Sequence, residues 1–293
     1  MFVLEFFVCH TERMSIDRAA PTSSPLLARQ RQQQILAVVS QHGGVRVADM
    51  VDQLGVSEMT IRRDITSLVR RGLVSRVHGG AVSPSRSTEE PAFALKATQH
   101  QDEKARIGRH AAARVEAGDA VALSAGTTTL AVARALVAHP DFATLTIITN
   151  SLPAADILHQ AAMHAREASH PSPTIVLTGG ERTPSDALVG PATIDYLRAV
   201  RVDWVFLGAH GFDPTIGLMT PNLQEAATNA ALLATGRSVV AVLDSSKWGV
   251  RGVRAFCGVE DLAALVTDAE PDEETLAAAA THDFSLEIAT DDH

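Results

Sequence analysis

The chain has 293 residues, of which 46% are hydrophobic and 20% charged, with a formal net charge of −9. This is long enough for one large domain or two ordinary ones and apolar enough for a real core, which excludes a chain disordered throughout. Its two cysteines, Cys9 and Cys257, stand far apart without CxxC or paired-histidine spacing, which argues against a disulfide framework or a thiolate metal site and for thiols of a reducing compartment.

The first ten residues, MFVLEFFVCH, are apolar, but Glu5 interrupts them and no basic segment precedes them. The run is too short to span a bilayer and no cleavage site of a leader follows in register. Residues 1–27 are expected to be a disordered tail, and Met14 offers an alternative start. No other stretch resembles a membrane span, so a cytoplasmic protein with no membrane partner is expected.

Charge is divided unevenly along the chain. Residues 28–86 hold nine Arg against four acids, a balance of +5, while residues 87–293 carry −13. A small basic part joined to a large acidic one implies a polyanionic partner for the first alone.

Three helical patterns occupy the basic part. ARQRQQQILAVVSQH places Ile35, Leu36, Val38 and Val39 on one side and stops at Gly43-Gly44. "VRV" reads as a short extended piece, and ADMVDQL as a second helix. After the turn at Gly55-Val56, Ser57 suits an N-cap and Glu58 the helix dipole. In the third helix Ile61, Ile65, Leu68 and Val69 share a face, which turns Met59, Arg63, Thr66, Ser67 and Arg70 outward and leaves Thr60 and Arg62 on the flanks.

Two helices joined by a short turn, the second polar and basic on its outer face, fit a helix-turn-helix. A helix of this kind enters a major groove, where arginine donates two hydrogen bonds to guanine or one charge-assisted bond to phosphate. The phase favours Met59 and Arg63 for base edges and Arg62 for phosphate. GLVSRVHGGAV then alternates apolar and polar residues around Gly79-Gly80, a two-stranded wing carrying Arg76 and His78 to the flanking backbone.

The stretch LGVSEMTIRRDITSLVRRGLVSRVHGGAV resembles the winged helix-turn-helix signature of the DeoR family of bacterial transcriptional regulators, from about Gln30 to Val82. The resemblance implies operator binding, most often as a repressor, and contacts from Thr60, Arg62 and Arg63. Together with the phase, the expected DNA-binding set is Ser57, Met59, Thr60, Arg62, Arg63, Arg70, Arg76 and His78.

SPSRSTEEPAFALKATQHQ has the composition of a linker, and residues 83–103 are expected to join a module at 28–82 to one at 104–293. Beyond it strands and helices alternate. The apolar runs AVALS, LTIIT, TIVLT, WVFLGA, SVVAVLD and LAALVTD predict a mostly parallel, Rossmann-like sheet with helical cover, an α/β fold.

Ligands of such sheets bind at the carboxyl ends of the strands. Four polar clusters fall there: Ser124 with Gly126, Thr127, Thr128 and Thr129; Asn150 with Ser151; Gly179 with Gly180; and the segment Asp244 to Lys247. Gly126 admits a ligand close to the backbone, a helix beginning near Thr127 offers free N–H groups, and Lys247 supplies positive charge. A Gly-Thr turn also serves as simple punctuation, but four clusters at successive strand ends point to a phosphorylated ligand.

The stretches ALSAGTTTLAVARAL, LTIITNSLPAADIL, IVLTGG, VDWVFLGAHGFDPTIGL and VLDSSKWG resemble the effector-binding domain of the same family, from about Lys104 to Asp268. That resemblance implies a fold similar to ribose-5-phosphate isomerase and a sugar phosphate or related metabolite as effector. The chain departs from the family pattern at Ser124-Ala125, where Asp-Ser is usual before Gly-Thr-Thr, and at Asn229, where a lysine is common. The departures imply a retuned ligand or a lost one.

An isomerase carrying a DNA-binding appendage is the rival reading. Proton transfer between sugar carbons needs a positioned base, and the isomerases bear acids in an Asp-Gly-Ala-Asp-Glu segment. The corresponding Leu207-Gly208-Ala209-His210-Gly211 has none. His210 and Glu225 remain, and both are expected to bind effector rather than to catalyse. A nonspecific architectural DNA binder would leave the large module without a role. No metal and no cofactor are expected, and paired operator half-sites imply a homo-oligomer, a dimer or tetramer.

Overall fold

The computed structural model describes residues 28–42, 44–71, 73–77, 79–82 and 93–290. The expected tail at 1–27, Met14, Cys9 and the wing residue His78 lie outside the described residues.

The first unit comprises α1 (Ala28–His42), β1 (Gly44–Arg46), α2 (Val47–Leu54), α3 (Glu58–Arg70), β2 (Ser75–Val77) and β3 (Gly80–Val82). Its three short strands form an antiparallel sheet in the order β1-β3-β2. Ile35 and Val39 from α1, Met50 from α2, and Ile61, Ile65 and Leu68 from α3 meet in one core, with Val74 and Ala81 of the wing region against them. Val47, expected to end an extended piece, instead opens α2.

One polar tie in this unit had no counterpart in the apolar pattern. Asp64 lies on the buried side of α3, where Oδ2 accepts from Arg31 Nε at 2.8 Å and Oδ1 from Gln32 Nε2 at 3.2 Å. A carboxylate in that position needs such partners, because burial without them costs several kcal/mol, about 3–5.

The second unit opens with α4 (Phe93–Ala97) and α5 (Gln101–Ala112), so the stretch expected to be linker is helical at 93–97 and again from 101. There follow β4 (Ala120–Leu123), α6 (Thr127–Val137), β5 (Thr146–Thr149), α7 (Leu152–Glu167), β6 (Thr174–Leu177), β7 (Glu181–Arg182), β8 (Leu188–Val189) and α8 (Pro191–Arg198). The remainder is β9 (Val202–Leu207), β10 (Gly211–Asp213), β11 (Gly217–Thr220), α9 (Leu223–Leu233), β12 (Gly236–Val242), β13 (Arg254–Cys257), β14 (Ala264–Thr267), α10 (Glu273–His282) and β15 (Ser285–Ile288).

Seven strands form a single sheet in the order β6-β5-β4-β9-β12-β14-β15. Every neighbouring pair in it is parallel. Alternate side chains of a strand face opposite layers. Phe206 of β9 joins the core under α5, α6 and α7, and Val205 joins the core under α8 and α9. Two covered faces explain why the strands read as continuous apolar runs.

From β4 the chain proceeds outward to β5 and β6, then returns to β9 on the other side of β4 and continues to β15. The direction reverses between β4 and β9, and open α/β sheets hold ligands at such a switch point. A small antiparallel sheet, β10-β11-β13, and the β7-β8 hairpin stand beyond the carboxyl ends of the main strands.

Candidate nucleic-acid interface and ligand cavity

On α3 the helical phase predicts Met59, Arg63 and Arg70 outward correctly, whereas Thr66 and Ser67, expected beside them, are half-buried. Met59, Arg62, Arg63 and Arg70 are exposed, and Met59 retains 70% of its surface. Ser57 caps the helix by accepting from the Thr60 backbone N–H at 3.3 Å, and its hydroxyl lies 2.9 Å from that of Thr60. These two side chains are therefore held to the cap rather than extended outward.

Arg62 is engaged within the helix. Its Nε and Nη2 reach Glu58 Oε1 at 2.8 and 2.6 Å, an i,i+4 pair. Arg63 makes no hydrogen bond or ion pair among the described residues, so its guanidinium projects with its donors open. Arg76 stands exposed on β2. The face thus combines an apolar residue, two arginines of different freedom and a basic wing strand.

In the second unit a cleft of about 580 Å³, counted out to open solvent, lies at the switch point. Ala125, Gly126, Thr127 and Thr128 line it from the end of β4 and the start of α6, and Gly208, Ala209 and His210 from the end of β9. Gly126 has φ 151°, a conformation that L side chains rarely adopt, and it turns the chain so that the first N–H groups of α6 face the cleft. Free N–H groups at a helix start attract anions. Lys247 and Lys96 line the same cleft.

The opposite wall is polar and holds one carboxylate. Glu225, 8% exposed at the start of α9, accepts from Thr183 Oγ1 at 2.8 Å and from Ser185 Oγ. Ser185, Thr220 and Asn229 join it in the lining. Thr183 and Ser185 reach this wall because the β7-β8 hairpin folds back over the sheet.

Of the residues expected at strand ends, Gly126, Thr127, Thr128, His210, Glu225 and Lys247 converge on the cleft. Ser124, Thr129, Asn150, Ser151, Gly179 and Gly180 do not line it, and each has a structural task. Ser124 Oγ is buried and accepts from the Gly208 N–H at 3.0 Å, tying β4 to β9 across the switch point. Thr129 donates to the Gly126 carbonyl. Asn150 Nδ2 donates to the Leu188 carbonyl at 3.0 Å and the Asn150 backbone carbonyl accepts from the Leu188 N–H, which anchors the hairpin. Ser151 caps α7. Gly180 has φ 121°, and a Cβ there would lie 2.2 Å from Thr193 Oγ1 and 2.5 Å from the Val189 carbonyl oxygen, so Gly179-Gly180 is a tight turn into the hairpin.

Phe93, Lys96, Ser185 and Thr220 line the cleft without having been anticipated. Phe93 and Lys96 sit in linker-like sequence and Ser185 in a turn, and no periodicity marks either.

Behind the cleft lies an ionic cluster. Lys104, 5% exposed, donates from Nζ to the carbonyls of Lys96 at 2.8 Å and Gln99 at 2.7 Å and stands 3.9 Å from Asp244 Oδ2. Burial pushes the Lys104 ammonium down to about 8, against the pull of Asp244. Burial works to raise Asp244, but the charges of Lys247 and Lys104 outweigh it and hold the carboxyl below its ordinary range. Asp244 Oδ1 also caps the short turn Ser245–Lys247 that presents Lys247.

Cys257 is buried, and desolvation together with Asp261 and Glu260 pushes its thiol up to about 12, which leaves it unreactive. Among the described residues no cluster of three or more His, Cys, Asp or Glu side chains is placed to hold a metal ion. Among them, too, no helix is long and apolar enough to cross a membrane.

A winged helix-turn-helix followed by a doubly wound sheet with a cleft at its switch point defines a DNA-binding regulator with a ligand-sensing module. Residues 31–87 match the DeoR-like helix-turn-helix domain, and residues 99–269 match the DeoR C terminal sensor domain. The chain is 34% identical over 260 residues to the glycerol-3-phosphate regulon repressor of Escherichia coli, covering 88% of this chain and 98% of that one. It is 33% identical over 247 residues to the lactose phosphotransferase system repressor of Staphylococcus epidermidis, covering 81% and 91%. Ribose 5-phosphate isomerase A of Methanocaldococcus jannaschii overlaps 51% of this chain and 55% of that one at 19% identity, with a TM-score of 0.34, a likeness too faint to bear on function. The chain belongs to the DeoR family, and it is a DNA-binding transcriptional regulator.

Proposed function

We propose that this regulator is a cytoplasmic repressor, not an enzyme, and that a phosphorylated sugar or a related small phosphomonoester releases it from operator DNA. The observation that carries the reading is the division of the cleft: the α6 N-terminus, Lys96 and Lys247 supply positive potential, while Glu225, Asn229, Thr220 and Ser185 offer donors and acceptors for hydroxyls. A phosphate group with a polyol attached matches both. Asn229 is a neutral amide where a lysine is common in the family, which shifts this part of the cleft toward hydroxyl recognition.

On the DNA side, Arg63 reads base edges, Met59 packs against a thymine methyl, and Arg70 and Arg76 meet phosphates. Arg62 exchanges Glu58 for a phosphate on docking. A homo-oligomer presents two such faces to paired half-sites, and effector binding favours an arrangement in which the two no longer match them. Linkage requires DNA to weaken effector binding by the same factor, typically about 5–150-fold.

The relatives' names support repression of phosphorylated-metabolite genes: they are a glycerol-3-phosphate regulon repressor and a lactose phosphotransferase system repressor. Catalysis is disfavoured because Leu207 to Gly211 carry no acid and Glu225 is held through Oε1 by two hydroxyls, whereas an isomerase base must reach a substrate C–H.

Fluorescence anisotropy on DNA from upstream of the protein's own gene, at fixed salt, tests the reading with glycerol 3-phosphate, ribose 5-phosphate, glucose 6-phosphate and inorganic phosphate. Sequence-selective binding released by one of the esters is expected. Turnover of an ester without selective DNA binding would hand the cleft to the isomerase reading.

A further inference from the structure

We propose that Arg251 is a positioning residue of the effector site: its ion pair with Asp213 pins the strap of chain that holds Lys247 at the cleft. The inference rests on the effector reading above and adds to it a residue that does not itself line the cleft. Lys247 ends the short turn Ser245–Lys247, and residues 248–253 run from it to β13. This strap has no helix and only an isolated bridge, Trp248 to Phe212. Gly249, at φ 68°, and Gly252 give it more conformational freedom to lose than other residues would.

The strap lies close against β10 and β11. The Gly249 N–H donates to the Phe212 carbonyl at 2.9 Å. A Cβ at Gly211 would fall on the Val250 carbonyl, and one at Gly252 would lie 2.6 Å from the Thr220 carbonyl carbon, so glycine is what lets the two backbones meet at both places. Lys247 is tied into the same piece of chain, because its carbonyl accepts from the Val250 N–H at 3.3 Å. A lysine ammonium rides on a flexible four-carbon stem, so its placement is only as good as that of the backbone beneath it.

Between Val250 and Gly252 stands Arg251. Its Nε and Nη2 donate to Asp213 Oδ2 at 3.1 and 2.8 Å, while Asp213 Oδ1 accepts from the Thr215 N–H at 3.0 Å and from Thr215 Oγ1 at 2.6 Å. Asp213 is a buried anchor at the end of β10. Burial works to raise its carboxyl, but the Thr215 bonds and Arg251 outweigh that and hold it below its ordinary range. The Arg251 side chain keeps 67% of its exposure, so the pair adds little to the stability of the whole fold. Its effect is local: it fixes a glycine-flanked backbone, and with it the cation that meets the anionic end of the effector. A ligand group ordered before binding costs less to order during it.

The test uses the full chain and isothermal titration with inorganic phosphate, glycerol 3-phosphate, ribose 5-phosphate and glucose 6-phosphate, on wild type, Arg251→Ala, Arg251→Lys, Lys247→Ala and the Arg251→Ala, Lys247→Ala double variant. For the probe that binds best, Lys247→Ala should cost about tenfold, the size of one charge-assisted hydrogen bond. Arg251→Ala should cost about fivefold, a coupling usual within one network, with Arg251→Lys restoring part of it and the urea midpoint unchanged. The double variant should bind no more weakly than Lys247→Ala alone, because Arg251 acts through Lys247. Amide hydrogen exchange at 248–250 should be faster in Arg251→Ala than in wild type. Wild-type affinity in Arg251→Ala beside a loss in Lys247→Ala would overturn the positioning role and leave the effector reading standing. Additive losses in the double variant would overturn it equally, since Arg251 would then act apart from Lys247. Binding of no probe by wild type would overturn both.

Discussion

The DNA-binding face and the sensor cleft are both polar surfaces set on apolar frameworks, yet they are specified differently. On α3 a single period decides everything: once Ile61, Ile65 and Leu68 are buried, Met59, Arg63 and Arg70 must point out. The cleft is assembled from the ends of β4 and β9, the β7-β8 hairpin, α9, the turn at Lys247 and α4. A surface on one element can be located from local pattern, whereas a cavity depends on which elements meet.

The largest expected effect breaks the frame beneath the DNA-binding face without touching its outward residues. Asp64→Ala removes the acceptor of Arg31 and Gln32 in a nearly buried pair, and the winged helix should lose about 3 kcal/mol. Far-UV circular dichroism during urea unfolding should show an earlier transition for this unit. A midpoint matching wild type would mean that Arg31 and Gln32 find solvent or other partners at no cost.

Next comes the face itself. Arg63→Ala should weaken the operator by about 1–3 kcal/mol and relax preference at one base pair, if its open guanidinium is bidentate to guanine. Arg62→Ala should cost less, because wild type must first give up the Glu58 pair. Anisotropy with singly substituted operators measures both. Equal losses spread over all operators would make Arg63 a phosphate contact.

These two regions also divide what could be read from sequence. The third helix, its Ser57 cap and most of its outward residues follow from spacing, and the six apolar runs became strands β4, β5, β6, β9, β12 and β14 of the main sheet. The elements that escaped notice are short or of mixed character. The hairpin strands β7 and β8 have two residues each, β10, β11 and β13 have three or four, and β15 lies in the half-polar SLEI. Their absence from the reading explains why half of the strand-end residues were given to ligand: without the hairpin, Asn150 had no backbone to hold. Lys96 escaped for the complementary reason, since its composition reads as linker and only the fold brings it back to the cleft. Asp64, in the middle of a basic helix, could have been found from phase, because it is three residues after Ile61 and next to Ile65.

A smaller effect probes the frame at the β15 edge of the sheet. Glu287 of β15 receives His110 of α5 at 2.8 Å, Arg114 from just beyond the end of that helix, and Ser285 Oγ at 2.6 Å. Burial works to raise this carboxyl, but those hydrogen bonds outweigh it and hold it at about 2. A depressed carboxyl contributes stability above its unfolded value, near 4.3, and loses it as pH falls toward 2. Glu287→Gln should therefore cost about 1–2 kcal/mol at pH 7, after allowance for partial exposure, with the deficit shrinking between about pH 4.5 and 2. Urea midpoints of both proteins at pH 7 and pH 3.5 give the comparison, and a deficit that does not change with pH would assign the loss to packing.

The smallest effect is the sharpest on the contrast between cleft and frame. Ser151 and Thr127 both follow a parallel strand, β5 and β4, at the start of a helix, and sequence alone treats them alike. Ser151 is fully buried and spends its hydroxyl on the Ala154 N–H, whereas Thr127 lines the cleft. Ser151→Ala should lower stability by about 1 kcal/mol, the usual value of a helix cap, and leave the affinity for the releasing phosphomonoester unchanged. Thr127→Val should do the reverse, keeping the unfolding midpoint within about 0.5 kcal/mol while weakening the ester. Titration calorimetry and urea unfolding on the same two variants separate the roles. A weakened ester in Ser151→Ala would mean that the start of α7 and the hairpin above it move with the cleft, and the boundary between frame and site would shift outward to β5.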